Sequence, residues 1–377
     1  MDGMVGFNFD MQVILDAIGS VQGVTLGILL IILNRNNYRS TIFLGFFLFF
    51  FSLELVYWIF KNPEVAQSYP DLLLLPFNFS WLLFPLFFVY TQQVSVLSKE
   101  KTKYWLLFPG IISFFAQLII FWLPFETKQL ISESSWHRLF FWDLGDYYSW
   151  IIGIWNLLLL SKHRIEVRNT YSYLAFKELQ WARAILICLL AISLLSHIIA
   201  HGFLNNFFVS NTVFSLMDLF AIYWVAYRGI LQRKVISVLT QEWDSEVLPD
   251  KPVDQKQSQD INSLRLEELM AKIDDFLAAS ECFTDPNLTI VDLAKGMHVH
   301  PRLISKAINS QSEQNFNTYV NRFRIQKAEN LLKGQKEANW SMDGIGKESG
   351  FNSKSAFYSA FKKQTGTTPS QFKNQSL

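Results

Sequence analysis

Cysteine and charge are both scarce in this 377-residue sequence. Its two cysteines, Cys188 and Cys282, fall in an apolar run and in a polar region, so no disulfide is predicted. The first residues include Asp2 and Asp10 and lack a basic cluster, which argues against a cleaved signal peptide. Only 17% of the residues are charged, whereas 50% are hydrophobic and 35 are phenylalanine, which indicates a membrane domain followed by a smaller polar domain.

Long segments with few charges fill the first 234 residues, and seven of them are candidates for the roughly 20-residue apolar helix that spans a bilayer. The fifth candidate is the weakest, because Asp143 and Asp146 leave only Tyr148–Leu160 free of charge. The predicted spans are Ile14–Leu33, Thr41–Phe60, Leu72–Tyr90, Tyr104–Leu123, Trp142–Leu160, Ala182–Ala200 and Thr212–Leu231.

Basic residues are distributed unevenly between the two alternating sets of loops. The set that holds most of them is cytoplasmic by the positive-inside rule, so the N-terminus is predicted outside and the C-terminus in the cytoplasm. The same bias supports seven spans, because six would scramble it. One set holds Arg35, Arg39, Lys99, Lys101, Lys103, Lys162, Arg164, Arg168, Lys177, Arg183, Arg228, Arg233 and Lys234, and the other holds Lys61, Lys128 and Arg138.

Five polar residues lie inside the predicted spans, namely Glu54, Asn78, Gln117, His197 and Asp218. Counted along each helix at 1.5 Å per residue, all five lie roughly 6–10 Å below the outer surface. Polar groups are costly in lipid, so five at one depth predict a ligand pocket that opens to the outside. Hydrogen bonding between helices is the alternative explanation.

Catalytic and metal-binding patterns are weak in this sequence. His197 and His201 have the i, i+4 spacing of metal ligands, but two histidines at a helix end are more often solvated or capping. The sequence contains no nucleophile–base set, phosphate-binding loop or Cys/His cluster of the usual spacing. We therefore expect no metal site, no cofactor and no enzymatic activity.

A polar stretch with two prolines, Gln241–Gln259, predicts a linker between the two parts of the chain. The following segment, Ser263–Ser280, has the apolar spacing of a helix, which suits either core packing or a dimer contact. The predicted domains are a transmembrane domain over 1–234, a linker over 235–262 and a DNA-binding domain over 263–377.

Two similar pairs of short helices are predicted near the C-terminus, over Leu288–Asn309 and Ser341–Phe361, with a long helix over about Asn315–Lys333 between them. This part of the sequence is basic, with 13 Lys or Arg and 6 Asp or Glu from Leu288 onward. In each pair, the second helix has an apolar inner face and a polar, basic outer face. Such a face suits a DNA groove, although most charged faces are ordinary solvated surface.

The arrangement resembles the AraC/XylS-type DNA-binding domain, in which one long helix joins two helix-turn-helix units. The resemblance covers roughly Leu288–Lys373 and is strongest in GFNSKSAF…FKKQTGTTPSQF. It implies an all-α domain that places the second helix of each unit in the major groove of promoter DNA. Departures from the family pattern are His298 for glycine, Asn309 for lysine and Gly346 for alanine. The implied base-reading residues are Arg302, Ser305, Lys306, Lys354, Ser355, Tyr358 and Ser359, and the implied phosphate contacts are Lys362 and Lys363.

The whole chain also resembles bacterial membrane-bound AraC-type regulators with a multi-span N-terminal half. This implies a seven-helix bundle in the inner membrane, an external small-molecule or ionic signal, promoter DNA as partner, and RNA polymerase as a further partner if the protein is an activator. Three hypotheses follow: a sensing transcription regulator, a regulator with a passive membrane anchor, and a transporter or membrane enzyme with an appended DNA-binding domain. The sequence leaves open whether the chain forms a homodimer.

Overall fold

The computed structural model describes residues 11–32, 39–97, 101–174, 177–202, 211–244, 263–334 and 340–376. Across these ranges the regular structure is helical, and the one isolated β-bridge joins Tyr171 to Thr289. The prediction of an all-α protein is therefore confirmed.

Two compact units make up the chain. The N-terminal unit comprises Met1–His163 and Leu179–Ser245, and the C-terminal unit comprises Arg164–Glu178 and Glu246–Leu377. The predicted domain limits stay a prediction; they assigned 164–178 to the transmembrane domain, whereas this segment groups with the C-terminal unit. The predicted linker lies mostly outside the described residues.

The helices of the N-terminal unit differ widely in length, and the last part of α8 enters the C-terminal unit. They are α1 (Met11–Ile32), α2 (Arg39–Lys61), α3 (Pro63–Ser68), α4 (Leu83–Val94), α5 (Phe108–Phe121), α6 (Phe125–Glu133), α7 (Ser135–Arg138), α8 (Leu144–Thr170), α9 (Gln180–Ala200) and α10 (Asn211–Asp244). Short 3₁₀ turns cover Pro70–Leu72 and Tyr104–Leu107, and a π-helical turn covers Leu139–Asp143.

Within the described ranges, five helical segments are long and apolar enough to cross a bilayer, with mean hydropathy between 1.3 and 2.2. They are Met11–Ile32, Thr41–Lys61, Tyr104–Phe121, Gln180–Ala200 and Asn211–Leu231, and each overlaps a predicted span. The predicted third span is not one continuous helix, because a non-helical stretch containing Pro76 separates the 3₁₀ turn from α4. The predicted fifth span forms the first part of α8, whose polar residues lower its hydropathy. The count of seven stays a prediction.

Close packing of α1 on α2 depends on two facing glycines. A Cβ atom on Gly27 would lie 2.9 Å from the Gly45 carbonyl oxygen, and one on Gly45 would lie 2.9 Å from the Gly27 carbonyl oxygen. Any larger side chain at either position would push the backbones apart, so the glycines permit the approach that small residues give to helices in membranes. Aromatic and aliphatic side chains on the outer faces remain exposed, including Phe115 and Ile119 on α5 and Trp122 directly after it.

The C-terminal unit contains seven further helices among its described residues and a 3₁₀ turn over Cys282–Thr284. The helices are α11 (Ser263–Ser280), α12 (Ile290–Met297), α13 (Pro301–Ser312), α14 (Phe316–Lys333), α15 (Met342–Glu348), α16 (Lys354–Thr365) and α17 (Pro369–Ser376). The predicted long helix and the two flanking helix pairs are all present.

Two hydrophobic cores organise this unit, and α14 contributes to both. Its first half buries Phe316 and Val320 in a core with α11, α12 and α13, and its second half buries Ile325 and Leu332 in a core with α15 and α16. Because Ile273 of α11 is completely buried in the first core, the structure favours core packing over a dimer contact for the apolar face of this helix.

Candidate nucleic-acid interface and ligand cavity

The first helix pair, α12 and α13, is defined by polar caps at both helix starts. Thr289 accepts a hydrogen bond from the amide of Asp292, whose carboxylate accepts one from the amide of Thr289, which completes a capping box. His298 follows α12 in the left-handed conformation with φ of 55°, where the resemblance expected glycine. His300 then caps α13 by accepting from the amide of Arg302, and Pro301 occupies the first helical position.

The outer face of α13 presents its predicted reading residues to solvent. Arg302 and Lys306 are exposed, and within the described part of the chain neither forms an ion pair. Ser305 is half-buried and accepts from the side chain of Asn309 at 3.4 Å. Ile304 and Ile308 on the opposite face are completely buried, so the helix has the orientation that the sequence predicted.

The second pair, α15 and α16, repeats this arrangement with a different turn. Ser341 caps α15, and Ser353 caps α16 by accepting from the amide of Ala356 at 3.2 Å. Gly350 adopts φ of 93°, and a Cβ atom there would lie 2.6 Å from the carbonyl oxygen of Phe283. Both the backbone conformation and the close approach require glycine at this turn.

Most of the predicted reading residues on α16 are exposed, including Lys354, Ser355 and Ser359. Tyr358 is half-buried, and its hydroxyl forms a hydrogen bond with that of Ser370 on α17 at 3.0 Å. Because that hydroxyl already has a partner, Tyr358 also helps to fix α17 against α16. This position therefore has a structural role besides the predicted contact with a base.

Exposed lysines extend the same surface beyond the reading residues. Lys362 and Lys363 lie in the last turn of α16, and neither is ion-paired within the ranges that the structure describes. Unpaired cations beside two exposed helix faces can bind the phosphates of a nucleic acid without first breaking an internal ion pair. The individual base and phosphate contacts stay predictions.

A segment from between the predicted fifth and sixth spans is part of the C-terminal unit. We call residues 164–178 the interspan segment; 175 and 176 lie outside the described residues. Its Tyr171 and Ser172 are buried, and the Ser172 amide donates to the Leu288 carbonyl at 3.1 Å, beside the bridge between Tyr171 and Thr289. The segment thus pairs with the residue that caps α12, an arrangement that sequence periodicity could not show.

Arg324 is the buried centre of that contact, with only 2% of its surface exposed. Its guanidinium donates to the carbonyl oxygens of Phe283 at 2.6 Å and Asp285 at 2.7 Å, and to the hydroxyl of Ser172 at 3.0 Å. Burial lowers the pKa of Arg324 to about 10, so the side chain stays charged at neutral pH. A buried cation without a carboxylate bond needs these oxygens, so the interspan segment helps to satisfy the charge. The side-chain amide of Asn317 adds a hydrogen bond to the Ser172 carbonyl at 2.6 Å.

The N-terminal unit contains a cavity of about 660 Å³. Three of the five predicted ligand residues line it, namely Glu54, His197 and Asp218. The Oε2 atom of Glu54 is buried and has no hydrogen-bond partner in the described structure. Such an atom is available to a ligand that brings its own donor or positive charge.

The other two predicted residues, Asn78 and Gln117, lie outside this cavity and bind each other. The side chain of Gln117 accepts from the Asn78 amide at 3.2 Å and donates to the Asn78 carbonyl at 2.9 Å. The Asn78 side chain donates to the carbonyl of Phe141 at 3.1 Å. For these two residues the structure favours hydrogen bonding between neighbouring segments over a ligand role, with Asn78 in the non-helical stretch before α4 and Gln117 on α5.

Several other cavity residues were not assigned to the pocket from the sequence. In the sequence analysis, Asp143 and Asp146 counted only as charges that made the fifth predicted span the weakest. Both line the cavity. Lys61 also lines it and lies 4.7 Å from the ring centre of Trp58 and 5.4 Å from that of Trp142. Because Asp146 lies within the predicted span, its depth along the helix is the signal that could have found it.

The fold and exposed faces of the C-terminal unit define a class, the double helix-turn-helix DNA-binding domains. A family model described as "Helix-turn-helix domain" matches residues 293–375. This C-terminal part of the chain is, more particularly, a helix-turn-helix domain of the AraC type, as its resemblance predicted.

One relative supports this conclusion. It is the "Uncharacterized transcriptional regulatory protein YesN" of Bacillus subtilis (strain 168), which is 32% identical over 93 residues. The match covers 24% of this chain and 25% of the relative, so the likeness is limited to about a quarter of each protein. No solved structure matches this chain.

Proposed function

We propose that this protein is a membrane-embedded, one-component transcription regulator of the bacterial inner membrane. Its helix-turn-helix domain binds promoter DNA in the cytoplasm, and a signal that enters the cavity from outside controls that binding. The five apolar helices and their exposed apolar faces support membrane insertion. The larger number of basic residues in one set of loops supports a cytoplasmic C-terminus.

The observation that carries the sensing part is the position of the interspan segment. Helix α8 contains the cavity residue Asp146 and ends at Thr170, directly before the buried Tyr171 and Ser172. At 1.5 Å per residue, the helix covers about 36 Å from Asp146 to Thr170. The continuous helix α8 therefore connects Asp146 along the chain to the residues that contact Leu288 and Arg324.

This link supports a specific mechanism of control. A ligand that binds one arrangement of the cavity better than another shifts α8 toward that arrangement. The shift is transmitted to Ser172 and, through its hydrogen bonds, to the start of α12. The change alters how the first helix-turn-helix unit is held relative to the second, and with it the affinity for DNA.

The two alternatives predict different behaviour. A passive anchor would leave DNA binding unchanged when the cavity is altered, and a transporter would move solute in vesicles. We propose that the protein has no catalytic activity. RNA polymerase is a partner only if the protein activates transcription, and a homodimer would bring four helix-turn-helix units to one promoter.

The decisive experiment is genome-wide footprinting of the tagged full chain in cells with and without candidate external signals. We expect discrete promoter sites whose occupancy changes with one signal. A parallel strain carries Asp146→Asn, which alters the cavity, and a control strain carries Ser280→Ala on α11. Occupancy that responds equally in all three strains would favour the passive anchor, and the absence of discrete sites would overturn DNA regulation itself.

A further inference from the structure

A compact group of metal-ligating side chains lies in the cavity of the N-terminal unit. One ligand atom each from Asp143, His197 and His201 lies within 4.8 Å of the others. Asp143 ends the π-helical turn, and the two histidines lie one helical turn apart at the end of α9. Turns of the π type are rare and frequently occur at functional sites, because the extra residue re-aims the side chains around it.

Both histidine rings are held by an oxygen at the same ring nitrogen. The Nδ1 atom of His197 is 2.9 Å from the carboxylate of Asp146, and the Nδ1 atom of His201 is 3.0 Å from the carbonyl oxygen of His197. A neutral imidazole that donates its Nδ1 proton keeps its lone pair on Nε2. Metal-binding histidines typically have such an oxygen partner, which fixes both the tautomer and the ring orientation.

The distances between the ligand atoms fit a single ion after a small adjustment. Nitrogen and oxygen ligands lie about 2.0–2.2 Å from zinc, which places them roughly 3–3.6 Å from one another in a tetrahedral site. The Nε2 atom of His201 is already 3.4 Å from an oxygen of Asp143, and the two imidazole ring centres are 4.2 Å apart. The ligand atom of His197 lies within 4.8 Å of the other two, so the atoms have to move closer together to complete the set.

The basic side chain beside this group is held mainly by another partner. Arg138 competes weakly for Asp143, because its Nε atom is 3.9 Å from the carboxylate and the same guanidinium donates to the Ala200 carbonyl at 3.0 Å. The Asp143 carboxylate is therefore available to a metal ion.

We infer that Asp143, His197 and His201 bind one divalent transition-metal ion and leave a fourth coordination position open to the cavity. Two imidazoles and one carboxylate suit zinc and its neighbours, whereas magnesium and calcium prefer sites made of oxygen atoms. Asp146 positions His197 and does not contact the ion. The identity of the ion as the regulatory signal rests on the proposed function, whereas its binding does not.

Metal titration of the purified full chain in detergent tests the inference. We expect one Zn²⁺ per chain by competition with a chromogenic chelator. Loss of the hydrogen-bond partner of a metal-binding histidine typically lowers metal affinity about 10–100-fold, so Asp146→Asn should weaken binding by that factor. His201→Ala and Asp143→Ala remove a ligand and should weaken binding by at least as much. Bound Co²⁺ should give the visible absorption of a tetrahedral site, and His201→Ala and Asp143→Ala should abolish it.

A matched control is available in the same cavity. His137 lines it outside the ligand group, and its ring packs 5.1 Å from that of Phe141. His137→Ala should therefore keep the wild-type affinity. The inference fails if wild type binds no metal, if the ligand variants bind as tightly as wild type, or if His137→Ala loses as much affinity as they do. The thermal unfolding of each metal-free variant shows whether a loss comes from the site or from misfolding.

A second readout separates this inference from the proposed function. Promoter occupancy is measured in cells with and without added metal, beside the binding titration. Metal binding without any change in occupancy supports the site and overturns its role as the signal. Regulated occupancy by a chain that binds no metal overturns the site and leaves the proposed regulator intact.

Discussion

The hydroxyl of Ser172 lies 3.0 Å from a terminal guanidinium nitrogen of Arg324, although the two residues are 152 positions apart in the chain. The same hydroxyl donates to the carbonyl oxygen of Leu288 at 2.6 Å. Both partners belong to the first helix-turn-helix unit or to the long helix behind it. The unit is therefore held in place by a segment that the sequence places between two predicted membrane spans.

Replacing Ser172 by alanine should loosen the first helix-turn-helix unit. The change removes one side-chain hydrogen bond to Arg324 and one to Leu288, at a cost of about 1–3 kcal/mol for the two together, while the Ser172 amide still donates to the Leu288 carbonyl. Hydrogen exchange measured by mass spectrometry on the full chain should show faster exchange in α12 and α13, because local opening costs less there. Exchange in α15 and α16 should change less.

Ser280→Ala provides the control for that prediction. Ser280 is exposed on α11, and its hydroxyl donates to the Phe276 carbonyl one turn earlier. Because that carbonyl can bind water instead, exchange in α12 and α13 should match that of the wild type. Equal protection in wild type and Ser172→Ala would show that the interspan segment does not stabilise the unit.

Arg302→Ala and Lys354→Ala should each weaken binding to the cognate promoter by about 1–3 kcal/mol and relax its sequence preference at one position, as expected when a base-reading side chain is removed. Both side chains are exposed on the face opposite the core, one in each unit. Fluorescence anisotropy with promoter variants checks both effects. A uniform decrease in affinity across all promoter variants would show that these residues bind phosphates and not bases.

Lys363→Ala tests the predicted phosphate contact. It should weaken binding evenly across sequences and reduce the slope of log affinity against log salt by about 0.9, the value for a single neutralised phosphate. The control is Lys347→Ala, since Lys347 is exposed but already paired with Asp343 at 2.9 Å. An unchanged salt slope for Lys363→Ala would remove this residue from the interface.

The C-terminal unit could be predicted from its sequence because its features are local. The caps at Thr289, Ser341 and Ser353 lie within three residues of the amides that they bind, and helical spacing identifies the buried faces. The resemblance also located the left-handed turn at His298. Local rules of this kind need no knowledge of distant residues.

Features that depend on pairing between distant residues were not predictable. Depth along the predicted helices placed Asn78 and Gln117 at the level of Glu54, but Asn78 lies in the non-helical stretch before α4 and binds Gln117 outside the cavity. The contact between Ser172 and Arg324 has no sequence signal, because a serine in a loop and an arginine in a helix both read as surface residues. Three of the five predicted cavity residues, and none of these long-range bonds, followed from the sequence.

Substitutions at two left-handed positions should change stability in opposite directions. His298 has φ of 55° and is exposed, so His298→Gly should relieve strain and stabilise the C-terminal unit by about 1 kcal/mol. Gly366 has φ of 79°, and a Cβ atom there would meet nothing within 4 Å, so Gly366→Ala should destabilise by about 1 kcal/mol through backbone strain alone. Urea denaturation, monitored in each unit by hydrogen exchange, measures the change in unfolding free energy for both variants. Stability changes of the same sign would contradict the left-handed backbone conformation at one of the two residues.

Membrane topology is the prediction on which the proposed regulator depends most directly. A fluorescent protein that matures only in the cytoplasm, fused after the last residue, should be bright, because the larger set of basic residues faces that side. Alkaline phosphatase, active only outside, should report activity when fused after Ser68 and none when fused after Leu97, if the chain crosses the bilayer between them. The two phosphatase fusions test the predicted third span, where a non-helical stretch precedes α4. Activity at both fusion points would show that the chain does not cross the bilayer between them. A dark fluorescent fusion would place the C-terminus outside, separate the helix-turn-helix units from DNA and end the proposal.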